Sequence, residues 1–258
     1  MPASNGLRRA LPPLAAIAFV ATACAGPSVS DSESPSRGPD ARPLPQGSEA
    51  VELDPKDFLA QIDHPFWPMS PGSRWTYREV GPSGSFQTVE VSVTEETRTI
   101  LGIEATVVHD VVSRDDQPIE DTKDWYAQDR WGNVWYLGED TREFENGEVT
   151  STAGSWEAGV DGAQAGVILP GSPSAGMAYR QEYYEGQAED AAEIVSLEEK
   201  AAVPFGTFEH LLMTRDYTPL VPNLVEHKFY ARGLGPILSV TVSGGAGREE
   251  LVDFSPGG

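Results

Sequence analysis

The sequence predicts a mainly β protein: a single antiparallel β domain, built as a curved sheet, a partly closed barrel or a sandwich, with one short N-terminal helix. Three observations lead there. Runs rich in β-branched and aromatic residues recur from Arg74 onward, several alternating in polarity, with Gly, Pro, Asp or Asn between them. No helical pattern of ten or more residues interrupts them. Short connections without crossover helices leave antiparallel pairing as the way to join them.

The chain opens with Arg8 and Arg9 ahead of an apolar run over residues 11–23, the layout of an export signal. That run is too short for a permanent transmembrane helix, which takes ~20 apolar residues, and nothing later in the chain is longer. It stops at Cys24, the single cysteine of the chain. The stretch VATACAG resembles a bacterial lipoprotein signal, in which the cysteine is acylated and becomes the mature N-terminus. It departs from that pattern at Ala21, where leucine is preferred. The resemblance implies a signal peptide over residues 1–23, lipidation of Cys24, and a lipid-anchored protein on the extracytoplasmic face of the cell membrane. An unmodified Cys24 in an ordinary secretory signal is the alternative, and one cysteine excludes an internal disulfide.

Removing the leader takes away Arg8 and Arg9 and leaves 16 basic residues against 40 acidic ones, a formal net charge of −24. Such a surface repels nucleic acid, so no nucleic-acid partner is expected. It suits basic partners or divalent cations, calcium among them, and also serves simple solubility, since the carboxylates are spread and not blocked together.

Residues 25–50 contain no aromatic side chain and consist mostly of Ser, Pro, Gly and charge. They cannot bury enough apolar surface to offset their ordering entropy, so residues 24–53 read as a lipidated N-terminus and disordered linker. As a flexible coil the linker would hold the domain ~28 Å from its anchor.

The β domain is placed at residues 54–258. In DPKDFLAQIDHP, Asp54 caps a helix with Pro55 in its first turn and Asp57 near the positive end of its dipole. Pro65 stops that helix by His64. The strand candidates follow: RWTYREV, SFQTVEVSVTEETRTI, IEATVVHDVVSR, AYRQEYYEG, AEIVSLEEKAAV, HLLMTRDYT, EHKFYARG, ILSVTVSG and ELVDF. About 200 residues suffice for one domain with a substantial core. No internal repeat marks a propeller or solenoid.

The stretch DWYAQDRWGNVWYLGED, residues 124–140, reads as a hairpin. Asp129 and Gly132 hold the first and fourth positions of DRWG, which suits a type I turn with a left-handed glycine and puts Trp131 at the tip. Alternation places Trp125, Ala127, Trp135 and Leu137 on a core face. Asp124, Tyr126, Gln128 and Tyr136 form a polar aromatic face, either solvated or lining a concavity. Trp131 is either folded back or offered to a ligand.

Reactive motifs are missing from the sequence: no nucleophile elbow, phosphate loop, H-E-x-x-H or calcium loop. No cofactor is expected. His109 and His227 read as hydrogen-bonded histidines within the sheet, since no metal-ligand spacing accompanies them. Glu120, Asp121, Asp124, Asp129, Glu139, Asp140, Glu157 and Asp161 are the candidate carboxylates. Two of them flanked by tryptophans would suit glycosidic cleavage, a scattered set would suit calcium, and otherwise they keep the sheet rims wet.

Five stretches, HPFWPMSPGSRWTYRE, DWYAQDRWGNVWYLGED, SWEAGVDGAQAGVILPG, RQEYYEGQAEDAAEIVSL and VEHKFYARGLGPI, together resemble segments of a group of uncharacterised bacterial secreted proteins and lipoproteins. The resemblance spans most of residues 64–240. It implies one exported antiparallel β domain and brings no reaction or binding residue with it.

The leading expectation is therefore a membrane-anchored extracytoplasmic lipoprotein that binds a hydrophobic or glycan ligand without transforming it, beside Asp124, Tyr126, Trp131, Tyr136 and Trp156. A carboxylate-dependent glycan hydrolase and a structural envelope protein, ordered by calcium in one version, stay open beside it.

Overall fold

The computed structural model describes residues 43–80 and 84–258. The leader, Cys24 and residues 25–42 of the linker lie outside them. Within them the strand-rich sequence becomes an almost wholly β structure. A first meander contains β1 (Arg74–Val80), β2 (Phe86–Ile100), β3 (Ile103–Arg114), β4 (Gln117–Gln128) and β5 (Val134–Glu145). Five short strands follow: β6 (Glu148–Ser151), β7 (Trp156–Glu157), β8 (Gln164–Leu169), β9 (Ala178–Arg180) and β10 (Glu182–Tyr183). A second meander contains β11 (Ala191–Val203), β12 (Gly206–Tyr217), β13 (Val225–Ala231), β14 (Gly235–Ser243) and β15 (Arg248–Ser255).

Every strand pair is antiparallel, as short connections require. The sheet runs β10, β8, β5, β4, β3, β2, β1, β15, β14, β13, β12, β11, β9, with β6 and β7 both paired on β5. The β1–β15 pairing, Trp75 opposite Phe254, joins the two meanders. The ladder does not close. Its two end strands, β9 and β10, are nevertheless consecutive in the chain with only Gln181 between them, so residues 178–183 bridge the gap between β8 and β11.

The predicted helix shrinks to one 3-10 turn, Pro55–Asp57. Its start signal is real, because the Asp54 carboxylate accepts from the Lys56 N–H at 3.0 Å. Its end comes early because tertiary contacts outbid the helix: Phe58 packs edge-on against Trp135 at 6.5 Å, and the Leu59 N–H donates to the Gln128 carbonyl. Residues 43–53, assigned to the linker by composition, are docked on the domain. Leu44 and Pro45 are buried, Gln46 Nε2 donates to the Ala178 carbonyl at 2.6 Å, and Arg180 donates to the carbonyls of Gly47 and Glu49. Backbone carbonyls make most of that contact, which is why composition is blind to it.

Both faces of the first meander are covered. The inner face carries Trp75, Tyr77, Val89, Val91, Val93, Val108 and Val112, all buried. Trp125, Trp135 and Leu137 form an outer layer beneath Phe58 and the Arg98 guanidinium, which lies 4.1 Å from the Trp125 ring. A shift in register between β4 and β5 lets the sheet turn here. Gly138 sits at this shift with φ +136°, and a Cβ on it would collide with the Trp156 carbonyl oxygen.

Candidate functional site

The hairpin forms as its sequence predicts. The Gly132 N–H donates to the Asp129 carbonyl at 2.9 Å, and Gly132 has φ +86°. The Asp129 side chain, 1% exposed, accepts from the N–H groups of Trp131 and Asn133, from Asn133 Nδ2 and from Trp135 Nε1. This carboxylate is spoken for by its own turn. Trp131 is half-buried at the tip, with the Arg130 guanidinium 4.5 Å over its ring. Its backbone oxygen lies so close to Gly171 that a Cβ there would collide.

Four of the five ligand-binding candidates come together. Tyr126 stacks on Tyr136 with ring centres 4.9 Å apart, Trp156 meets Tyr136 edge-on at 5.3 Å, and the Tyr136 hydroxyl donates to Asp124 Oδ1 at 2.7 Å. Trp131 takes no part in these contacts. The face is buried and turned inward, since Trp67 touches both Tyr126 on β4 and Tyr230 on β13. It lines the interior and is not a solvated rim.

Away from those aromatics the inner face turns acidic. Asp124 pairs with Glu139, and Thr122 with Thr141, across the β4–β5 ladder. Thr141 Oγ1 donates to Glu139 Oε2 at 3.2 Å and shares a 2.8 Å hydrogen bond with Thr122, which in turn reaches Glu120. From the far side comes Glu182, 3% exposed, whose Oε2 accepts from Trp156 Nε1 at 2.9 Å. Its Oε1 is buried and accepts no hydrogen bond among the described residues. Asp216 is equally buried, with Lys228 Nζ at 3.1 Å from its Oδ2.

Electrostatics follow from that crowding. Burial, reinforced by Asp124, pushes the Glu139 carboxyl well above the ordinary carboxylate range. Burial, then Asp190 and Glu139, does the same to Glu182. Asp190 is raised by burial to about 7, although Lys228 works against the rise. Burial alone would lower Lys228, but Asp216, Tyr230 and Glu226 override it and hold the ammonium charged. Tyr126 and Tyr136 are raised by burial and then by Asp124, so both stay phenols. The result is a mixture of neutral carboxyls, charged carboxylates and phenols, able to donate to and accept from a hydroxylated ligand or to pass a proton.

The remaining sequence candidates point elsewhere. Asp121 faces His109 at 3.1 Å, Asp140 faces Arg142, and Glu157 pairs with Arg98. Asp161 is exposed in a turn at φ +50°. His109 is a third exposed, with its Nε2 3.1 Å from Asp121 Oδ1, while the buried histidine is His64. Among the described residues, no three His, Cys, Asp or Glu side chains are arranged to hold a metal. Glu182, Asp190, Asp216 and Lys228 were also missed. Their one sequence signal is polar residues at inward positions, as in the Glu226, Lys228, Tyr230 alternation.

No protein-family model matches the chain, and no curated protein matches its sequence. Solved structures with a similar course of chain include a Bacteroides fragilis protein designated as exported, with a YmcC-like fold: TM-score 0.43, 12% identity, covering 74% of this chain and 99% of that one. A Parabacteroides distasonis protein designated as a lipoprotein has TM-score 0.42 and 10% identity, covering 74% of this chain and 98% of that one.

Proposed function

We propose that this protein is an exported lipoprotein, held on the extracytoplasmic face of the membrane through Cys24, whose β domain binds a glycan-class ligand on its inner face without transforming it. The observation that carries the binding reading is the Glu182 carboxyl. One oxygen is buried and has no hydrogen-bond partner among the described residues at the end of the Tyr126, Tyr136, Trp156 cluster, and a buried polar atom in that condition calls for a partner. Phenols and carboxyls of mixed charge suit a ligand rich in hydroxyl or amine groups, and favour the glycan over the hydrophobic alternative.

Calorimetric titration with cell-wall oligosaccharides, neutral sugars and fatty acids tests this. Saccharide binding that weakens about tenfold in Tyr136→Phe supports it, in line with ~1.4 kcal/mol for a lost hydrogen bond. Binding of fatty acid alone, or of nothing, sinks it. For the anchor, Cys24→Ala should leave the protein unprocessed or move it from the membrane to the soluble fraction; acylation of that variant would refute the assignment.

A second reading, glycan hydrolysis, draws support from one observation. Glu139, held protonated, sits beside Asp124, the division of labour an acid and its partner need. Release of reducing sugar by the wild type, and its loss in Glu139→Gln, would establish it. Intact saccharide after prolonged incubation would remove it.

A further inference from the structure

Among the described residues, the strands of the sheet's two ends are joined through residues 178–183. Ala178–Arg180 pair with residues 191–193 of β11 and Glu182–Tyr183 with residues 164–165 of β8, so the seam is three residues wide on one side and two on the other. At its centre the Asp190 carbonyl accepts from the N–H groups of both Gln181 and Glu182, at 2.7 and 3.3 Å. The seam also lies hard against β8, where a Cβ on Gly166 would collide with the Gln181 carbonyl oxygen.

Directly behind this narrow seam stands the acidic interior. The Glu182 carboxyl turns inward from the seam itself, and Asp190 from the residue that anchors it. Glu139 and Asp124 face Glu182 from the hairpin; Asp216 and Glu226 face Asp190 from β12 and β13, with Lys228 as the cation among them. One ammonium cannot balance that many carboxylates.

Over the outside lies the strap of residues 43–53. The Arg180 N–H donates to the Pro45 carbonyl, and the Arg180 guanidinium ties the strap carbonyls of Gly47 and Glu49 to the Ala165 carbonyl of β8. Opening the seam means breaking those bonds or lifting the strap with it.

We propose that residues 178–183 are a proton-controlled gate into the interior, closed while the carboxyls behind it hold protons, loosened when they ionise, and latched from outside by the strap through Arg180. The geometry behind it is a join of only two and three paired residues that carries Glu182 and adjoins Asp190, with the carboxyls of Glu139, Asp124, Asp216 and Glu226 gathered behind it. Burial raises Glu139 and Glu182 as well, and Asp190, brought to about 7, places its own part of the response near neutral pH. The proposal stands apart from the identity of any ligand.

Amide hydrogen exchange on the full chain, with rates corrected for intrinsic exchange at each pH, provides the test. Between pH 6 and 8.5 the protection of the Gln181 and Glu182 amides should fall at least tenfold while the β2–β3 amides stay unchanged. Glu182→Gln should remove that fall, with Asp190→Asn as the second variant if the first does not fold. Arg180→Gln should lower protection of the seam at both pH values. A fall below threefold, an equal fall in every strand, or an undiminished fall in both carboxyl variants would overturn the gate.

Discussion

Asp129 and Trp135 are joined by a 2.8 Å hydrogen bond from the indole N–H to a carboxylate oxygen inside the turn that connects their strands. One carboxylate thus satisfies four donors and sets the angle at which β5 leaves the turn. Asp129→Ala strands those donors in a buried setting. We expect it to cost about 3 kcal/mol or more and to lower the melting temperature by roughly 6–12 °C. Urea unfolding should show the midpoint falling with the slope unchanged.

Gly138→Ala should destabilise by more than about 3 kcal/mol, because both its positive φ and the Trp156 carbonyl oppose a side chain there. Loss of β7 would also free the Trp156 indole from Glu182. A red-shifted tryptophan emission, absent from a control substitution at Gly147, where a Cβ meets open space, identifies that local release.

The buried carboxyls make stability fall as pH rises. The folded state holds protons on Glu139, Glu182 and Asp190 that the unfolded chain gives up nearer the ordinary carboxylate range, so the folded form binds more protons over the interval between. Their contribution is complete below that range and lost as pH climbs through the folded values, about 7 for Asp190. Glu139→Gln should flatten this limb. We expect it to be near neutral at pH 5 and stabilising by about 1–3 kcal/mol at pH 8.5, since an amide needs no proton to stay uncharged.

His64 governs the opposite limb. The Phe66 N–H donates to its Nδ1, so Nε2 carries the proton and donates to the Pro170 carbonyl at 3.1 Å. Burial, with Arg232 assisting, lowers its affinity for a second proton, although the Pro170 carbonyl partly offsets this. The unfolded chain binds that proton first, so stability drops as pH falls below about 6.5. The difference in unfolding free energy between the wild type and His64→Asn should therefore be smaller at pH 5.0 than at pH 6.5.

Adding calcium or EDTA should leave the melting temperature within about 1 °C, because the described carboxylates form no metal cage and a ligand stabilises only by binding the folded state. A rise of several degrees with calcium would contradict this.

The parts legible in the sequence are those that neighbours in the chain decide. Strand alternation, the Asp129–Gly132 turn and the Asp54 cap depend on residues within a few positions of one another, and each is present. Trp125, Trp135 and Leu137 were legible as core for the same reason. The opposite face of that hairpin was legible in composition but not in setting, since whether Tyr126 and Tyr136 meet solvent depends on what the other side of the sheet brings.

The sequence by itself pointed to antiparallel strands and to the Asp129–Gly132 turn, and its first residues have the layout expected of an export signal. Only the tertiary structure decided that Glu139, Glu182, Asp190 and Lys228 share one interior, and that residues 43–53 belong to the domain. Those groups come from segments tens of residues apart, and a carboxyl's charge is a property of its surroundings. Burial and facing charges, neither present until the sheet has curved, decide which of them keep their protons.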